Sequence, residues 1–345
     1  MSQNSLGSEV SIANVAAVAG VSTATVSRVL SGRRRKDDDL SRRVRQAAKQ
    51  LNYSVNYAAS ALRSDVTNSI GLIVPELNNA MYSSVVQAIE PAVNAESKQL
   101  ILGIGSTADE QEKRIRLGIS HRADGLIIIP VETESVVHFL EDVAEQIPVV
   151  QLLSQTYSNK LDWVGINETT VMQIIADHLS TAGARSVAYI GSSTNELDGM
   201  SLFTAFHMQM TVSGLSTYTE WIHFTAEGID FGFQIMQGIL SQHNFYPESV
   251  ICADGLTAVG AFRACKDAGL EVPGDIKIAV LQDSEICRNG AFNAPSFTSV
   301  QLPWKRMARE AMTLVSAEHE RKSWLPSRRE LEPVLMIRDS TVVSS

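Results

Sequence analysis

From residue 70 onward the chain repeats one beat, an apolar run of strand length followed by a helical stretch. The strand-length runs fall at 70–75, 99–104, 125–130, 148–153, 162–166, 186–191, 218–224, 249–254 and 276–282. Helical stretches lie near 81–97, 108–120, 134–146, 168–182, 198–212, 228–241 and 255–268. A strand that is apolar along its whole length has no face for water. Strands of this kind alternating with helices predict an α/β fold with parallel sheets covered on both faces. Nine such strands exceed one comfortable core, so the beat predicts two lobes divided near residue 155. Residues 297–303, a helix near 303–319 and residues 331–339 are left to recross between the lobes. A ligand is expected at the strand C-terminal ends, in the cleft between the lobes.

The first 67 residues are of another kind. They hold ten Lys/Arg and five Asp/Glu, a net of +5, whereas the rest of the chain carries −14. A small basic head on an acidic body predicts a partner that is a polyanion. Ile12, Val15, Ala16 and Ala19 recur at helix spacing, with Ser11 placed to cap the helix and Gly20 to end it. Ser22 then caps a second helix through Leu30, which turns Val21, Val26, Val29 and Leu30 inward. Two short helices about a glycine turn form a helix-turn-helix. Ser22, Thr23, Ala24, Thr25, Ser27 and Arg28 are its candidate DNA-binding residues. They are short or basic side chains that can reach base edges and phosphates from a helix in the major groove. Arg28 alone can form a bidentate contact with guanine. The run Arg33-Arg34-Arg35-Lys36 reads equally as a phosphate-contacting or a solvated loop, and Asp37, Asp38 and Asp39 suit the start of a third helix.

Val15-Ala16, then Ala19-Gly20-Val21-Ser22, Thr25-Val26-Ser27-Arg28-Val29-Leu30, resembles the N-terminal signature of the Lac repressor family. Leu51-Asn52-Tyr53, Gly71-Leu72-Ile73-Val74-Pro75, Asp124-Gly125-Leu126-Ile127-Ile128, Gly269-Leu270 and Val272-Pro273, and Thr298-Ser299-Val300 extend the resemblance over residues 11 to about 340. The resemblance implies an all-α helix-turn-helix head at 10–55, a hinge helix and linker at 56–69, and a two-lobed periplasmic-binding-protein-like core at 70–345. Lobe 1 is expected at about 70–155 with 303–320, and lobe 2 at about 160–297 with 328–340. It also implies a dimeric repressor on a pseudopalindromic operator in double-stranded DNA, gated by a small-molecule effector. Asn56, Ala59 and Leu62 fall where such hinge helices meet DNA. Leu62 matches the leucine that wedges into the minor groove, where unstacking one step is offset by the contacts of the kinked duplex. Val55 stands where many members have proline, and Asn14 where aspartate is expected in the first helix.

For the effector, the resemblance points to Glu76, Asn79, Met81 and Tyr82 after the first body strand, and to Leu202, Thr204, Asp254 and Asp283 in the second lobe. Tyr82 could stack on a ring or be an ordinary core tyrosine. Asp283 could bind two ligand hydroxyls or cap a turn. Leu202 stands where the family often has an arginine, so a carboxylate or phosphate ligand would lack its natural partner. The expected effector class is a sugar, polyol or nucleoside. Control by a partner protein acting on an atypical pocket is the alternative.

An enzyme is not expected. Gly103-Ile104-Gly105 with Ala108 resembles a dinucleotide turn, with Asp124 about twenty residues on as a ribose binder. It follows the second strand, however, and Asp109 and Glu110 would repel a pyrophosphate. There is no phosphate loop with a Gly-Lys pair, no zinc-type histidine motif, and the histidines (His178, His207 and His243 among them) are scattered. No cofactor and no metal site are expected. Cys252, Cys265 and Cys287 are odd in number and far apart, which fits a reducing cytoplasm, and the polar start of the chain does not read as a signal peptide. No membrane association is expected, and without a leucine-heptad tail the assembly should stop at a homodimer.

Overall fold

The computed structural model describes residues 10–30, 34, 36–53, 67–131, 134–154, 156, 158–191, 196–241, 245–290, 292–317 and 325–342, with the side chains of 196–201 left aside. The head is three helices, α1 (Ile12–Ala19), α2 (Thr23–Leu30) and α3 (Asp39–Gln50). Their ends are set by the expected residues. Ser11 is the N-cap of α1, where its backbone N–H donates to Asn14 Oδ1 at 2.9 Å. Asn14 therefore serves as a local cap partner without bringing a charge. Gly20 closes α1 at φ +65°, a left-handed conformation that glycine alone adopts without strain. Asp38 caps α3 by accepting from the Ser41 backbone N–H at 3.0 Å. Val15, Ala16, Ala19, Val26, Val29, Val44, Ala47 and Ala48 form the small core of the head.

The body has two six-stranded sheets. In chain order the first lobe holds β1 (Ser69–Val74), α4 (Ala80–Ala95), β2 (Gln99–Ile104), α5 (Ala108–Ser120), β3 (Gly125–Ile128), α6 (Glu134–Ala144), β4 (Val149–Leu152) and β5 (Asp162–Gly165). The second lobe holds α7 (Glu168–Thr181), β6 (Val187–Gly191), α8 (Glu196–Val212), β7 (Ile222–Phe224), α9 (Ile229–Ser241), β8 (Ser249–Cys252), α10 (Gly255–Asp267), β9 (Lys277–Val280), α11 (Glu285–Asn289) and β10 (Thr298–Gln301). The chain returns to the first lobe for α12 (Trp304–Ala317) and β11 (Arg328–Glu330), then ends in the second with β12 (Val334–Met336). The sheet orders are β11-β5-β4-β3-β1-β2 and β12-β10-β9-β8-β6-β7. Every pairing is parallel except β10 with β12. β1 is buried at all six residues, as an interior parallel strand must be, whereas β2 at the sheet edge is not.

The expected lobe boundaries need correcting at two places. The strand at 162–165 belongs to the first sheet, where Val150 pairs with Asp162 and Leu152 with Val164. Residues 328–330 also join that sheet, against Trp163, Val164 and Gly165. The chain thus crosses at about residues 166–167, not near 155. Among the described residues no helix lies between β4 and β5 to mark them as neighbours, and Arg328-Arg329-Glu330 has no apolar run to mark it as a strand. The helix near 303–319 does lie on the first lobe, with Met307, Ala308, Ala311, Met312, Leu314 and Val315 in its core.

The crossings converge on a shared apolar floor. Leu153 and Trp304 pack against the cores of both lobes. Leu153 sits at φ +61°, and its carbonyl accepts from Trp163 Nε1 at 2.7 Å. In the second lobe, α9 and α10 meet with almost no side chain between them. A Cβ at Gly232 would lie 2.2 Å from the Thr257 carbonyl oxygen, and one at Gly260 2.0 Å from that of Ile229. The three cysteines are buried free thiols, and burial pushes Cys265 up to about 12.

Candidate DNA-binding face and effector cleft

In the head, α1 and α2 meet at 101°, within the range of a helix-turn-helix. Burial of Val26 and Val29 turns the opposite face of α2 outward. Ser22, Thr23, Ala24, Ser27 and Arg28 are exposed and Thr25 is half-buried, and Thr23, Ala24, Ser27 and Arg28 share one face of α2. Two of them also hold the helix start. Ser22 Oγ accepts from the Thr25 backbone N–H at 3.2 Å and lies 2.9 Å from Thr25 Oγ1. Arg28 Nε donates to the Ala24 carbonyl at 3.1 Å, which presents the two Nη groups as a fork.

The basic loop is partly neutralised from within. Arg34 pairs with Asp38 at 2.5 Å and Arg45 with Asp37 at 2.7 Å. The Arg34 hydrogen bond, followed by that of the Ser41 N–H, holds the Asp38 carboxyl down at about 2. Lys36 and the Arg42, Arg43 and Lys49 positions of α3 add further positive charge to the head. Arg33, Arg35, Asn56, Ala59 and Leu62 lie outside the described residues.

In the body, every expected effector residue follows the C-terminal end of a strand, where doubly wound sheets place ligands. Local geometry nevertheless separates them. Asn79 is the N-cap of α4, its Oδ1 accepting from the Met81 N–H at 2.8 Å, so the amide nitrogen remains as its outward group. Glu76 and Met81 are half-buried beside it. Tyr82 is not a surface ring. It is 2% exposed in the first lobe's core, because one helical turn from Asn79 it falls on the same face as Val85 and Ile89. Leu202 packs partly buried on the second lobe's core, and Thr204 is exposed.

The two aspartates are occupied by the protein itself. Asp254 is the N-cap of α10: Oδ1 accepts from the Leu256 and Thr257 N–H groups at 2.7 and 3.1 Å, and Oδ2 from Thr257 Oγ1 at 2.5 Å. Asp283 accepts from Ser299 Oγ and from Arg338 at 2.7 Å each on Oδ1, and from Arg288 at 3.1 Å on Oδ2. Its side chain is 4% exposed. Arg338 also donates to the Phe297 carbonyl and to Ser299 Oγ, both at 2.6 Å. The expectation that Asp283 offers both oxygens to a ligand is therefore corrected: Arg338, from the C-terminal crossing, and Ser299 hold Oδ1, and Arg288 holds Oδ2. Arg338 lies 55 residues away, so no local pattern could announce it.

Sequence reading also missed an aromatic wall in the second lobe. Tyr189 is fully buried and stacks on Phe224, with ring centroids 3.9 Å apart and planes 13° apart. Phe203, 44% exposed, meets Phe224 edge-on at 5.5 Å. A tyrosine inside an apolar strand gives no signal of its own.

The dinucleotide reading fails on the geometry. Glu110 accepts from the Ser106 N–H at 2.9 Å, so the helix's own carboxylate occupies the place of a phosphate. Asp124 is tied to the Thr67 N–H at 2.9 Å.

A helix-turn-helix head and a two-lobed core of parallel sheets together define a DNA-binding regulator built on a ligand-binding-protein scaffold. Residues 11–56 match the family described as bacterial regulatory proteins, lacI family, and residues 176–341 match the periplasmic binding protein-like domain. The chain thus joins a lacI-family helix-turn-helix domain to a periplasmic-binding-protein-like domain, the make-up of the transcriptional repressors it resembles. Its relatives include the HTH-type transcriptional repressor PurR of Erwinia tasmaniensis, 28% identical over 95% of this chain and 96% of that protein. The ribose operon repressor of Escherichia coli is 26% identical over 95% of this chain and 98% of its own. The Lac repressor dimer bound to operator and the anti-inducer ONPF shares the fold, with a TM-score of 0.77 at 20% identity over 97% of this chain and 100% of that one. These relatives are named as repressors, not enzymes. Among the described residues no single helix is long and apolar enough to cross a membrane.

Proposed function

We propose that this protein is a cytoplasmic, dimeric repressor in which the head reads a pseudopalindromic operator, residues 56–69 form the hinge, and a small molecule in the cleft sets the operator affinity. The observation that carries the reading is the exposed face of α2, short polar side chains and one arginine fork held on a rigid three-helix core. The core lobes are residues 69–165 with α12 and β11, and residues 168–301 with β12. Self-association is supported by the edge strand β2, which leaves Leu102 and Ile104 exposed, with Leu117 of α5 beside them. An apolar sheet edge of this kind is a liability unless a second copy covers it. The ligand acts by differential affinity: a closed cleft changes the placement of the first lobes and so the fit of the hinges on DNA.

Selection from random double-stranded DNA tests the reader. Twofold-symmetric sites are expected, and Arg28→Ala should weaken them by about 10- to 100-fold, the ~1–3 kcal/mol of one bidentate base contact. Leu62→Ala should weaken the same sites while leaving binding to arbitrary DNA nearly intact. Selected sites without symmetry, or a preference untouched by Arg28→Ala, would sink the proposal. Control by a partner protein is the second reading, favoured by the internal satisfaction of Asp254 and Asp283; a library in which no small molecule stabilises the protein would support it.

A further inference from the structure

Asp37, Asp38 and Asp39 follow directly on the basic run Arg33-Arg34-Arg35-Lys36, and each is paired with an arginine of the head itself. Arg34 Nη2 lies 2.5 Å from Asp38 Oδ2, Arg45 Nη1 2.7 Å from Asp37 Oδ1, and Arg43 Nε 3.9 Å from Asp39 Oδ2. The two short pairs gather at the loop that leaves α2. The Arg34 backbone N–H donates to the Arg28 carbonyl at 2.9 Å, so Arg34 stands at the end of the helix that carries the reading face. Arg45, eight residues on from Asp37, reaches back from α3 to the same loop. Stability does not account for these pairs. Asp37 and Asp39 are exposed and Asp38 half-buried, and surface ion pairs contribute little to folding. Capping of α3 accounts for Asp38 and leaves Asp37 and Asp39 without that role. The Arg34 contact is made end-on through Nη2, while its Nε has no partner among the described residues. A phosphate replaces a single contact of this kind more readily than a bidentate one.

We propose that Asp37 and Asp38 are an internal competitor for DNA: their carboxylates hold Arg45 and Arg34 in the free head and withhold both cations from the phosphates of the duplex. The inference rests on the reading of the head as a DNA-binding module, and it gives the acidic triplet a part in that reading. A carboxylate and a phosphate each offer a guanidinium anionic oxygens that accept its hydrogen bonds, so one can stand in for the other. The outcome is a head whose sequence-independent affinity is held down. The base contacts of α2 are untouched, because phosphate contacts position a protein and base contacts specify its site. A ligand-gated regulator gains from this restraint. An effector shifts affinity by only about 5- to 150-fold, so an operator held too tightly through phosphates would stay occupied whatever the ligand did.

Fluorescence anisotropy of the full chain on random and on selected duplexes, over about 50–200 mM salt, tests it. Asp37→Asn keeps the side chain's size and removes the charge that holds Arg45. Freeing one arginine per head, two per dimer, should steepen the slope of log K against log salt by about 1.8. It should also tighten random and selected duplexes alike, by about tenfold at the low-salt end. Arg45→Gln alone should leave the slope nearly unchanged, since that arginine is already occupied. In the Asp37→Asn background the same change should cancel the gain. The sequence selected from random DNA should stay as it is, and the melting curve of Asp37→Asn should overlay that of the unaltered protein. An unchanged slope for Asp37→Asn overturns the inference. So does an Arg45→Gln loss as large as the Asp37→Asn gain, because the arginine would then already lie on DNA. A new base preference would make the triplet part of base readout, and a lowered melting temperature would make the pair structural; either result also overturns it. If the unaltered protein binds neither duplex, the DNA-binding reading itself falls.

Discussion

Replacing Asp283 by alanine separates a structural carboxylate from a ligand contact. In the free protein this side chain is 4% exposed and Arg338 is 13% exposed, so neither reaches water freely. Among the described residues, deletion of the carboxylate leaves the Arg338 guanidinium buried with the Phe297 carbonyl and Ser299 Oγ as its partners. Breaking a buried pair from one side costs ~3–5 kcal/mol, mostly for the charge left behind. Arg288 is half exposed, so its contact with the other oxygen adds at most ~1 kcal/mol. Set against a total stability of ~5–15 kcal/mol, Asp283→Ala should lower the melting temperature by roughly 6–20 °C. Asp283→Leu combined with Arg338→Met should cost less than either single change, since it removes both charges together. Urea unfolding followed by far-ultraviolet circular dichroism measures all of these. A loss below about 1 kcal/mol for Asp283→Ala, with ligand binding abolished, would refute the reasoning and return the carboxylate to the ligand.

Other consequences can be checked independently. Gly260→Ala places a methyl carbon 2.0 Å from the Ile229 carbonyl, so it should destabilise at or above the ~1–3 kcal/mol of ordinary overpacking; an unchanged urea midpoint would mean that α9 and α10 slide apart freely. The folded-state pKa of Asp38 lies below its ordinary value, so the head has this cap's stability above about pH 4 and loses it as pH falls toward 2. Asp38→Asn should flatten that acid transition, read by circular dichroism of the full chain, and an identical transition in both proteins would remove the cap from the account. Leu102→Arg should shift the protein from dimer to monomer in analytical ultracentrifugation, and an unaltered dimer would place the interface elsewhere.

The helix-turn-helix was legible because its determinants are local. Ser11, Gly20, Ser22 and Asp38 act on backbone groups within a few residues, and Val15, Val26 and Val29 bury at helical spacing. The parallel lobes were legible because a strand buried on both faces must be apolar throughout, as β1 is. What the chain could not announce was pairing across distance. Asp162 joined the first sheet and Arg328–Glu330 followed it, because strand partners are chosen by three-dimensional closure. Tyr82 stood open between a ligand ring and a core tyrosine, and helix phase turned it into the core. Asp283 and Asp254 had the right chemistry for a sugar, but only the folded chain brought Arg338 and the start of α10 to claim their oxygens. Tyr189 was hidden by its strand, and tertiary packing alone left its hydroxyl buried without a partner among the described residues. The class of protein was therefore written in short-range periodicity and caps, while the chemistry of its cleft was settled by long-range contacts, because the partners that satisfy or expose a polar group are chosen only when the chain closes on itself.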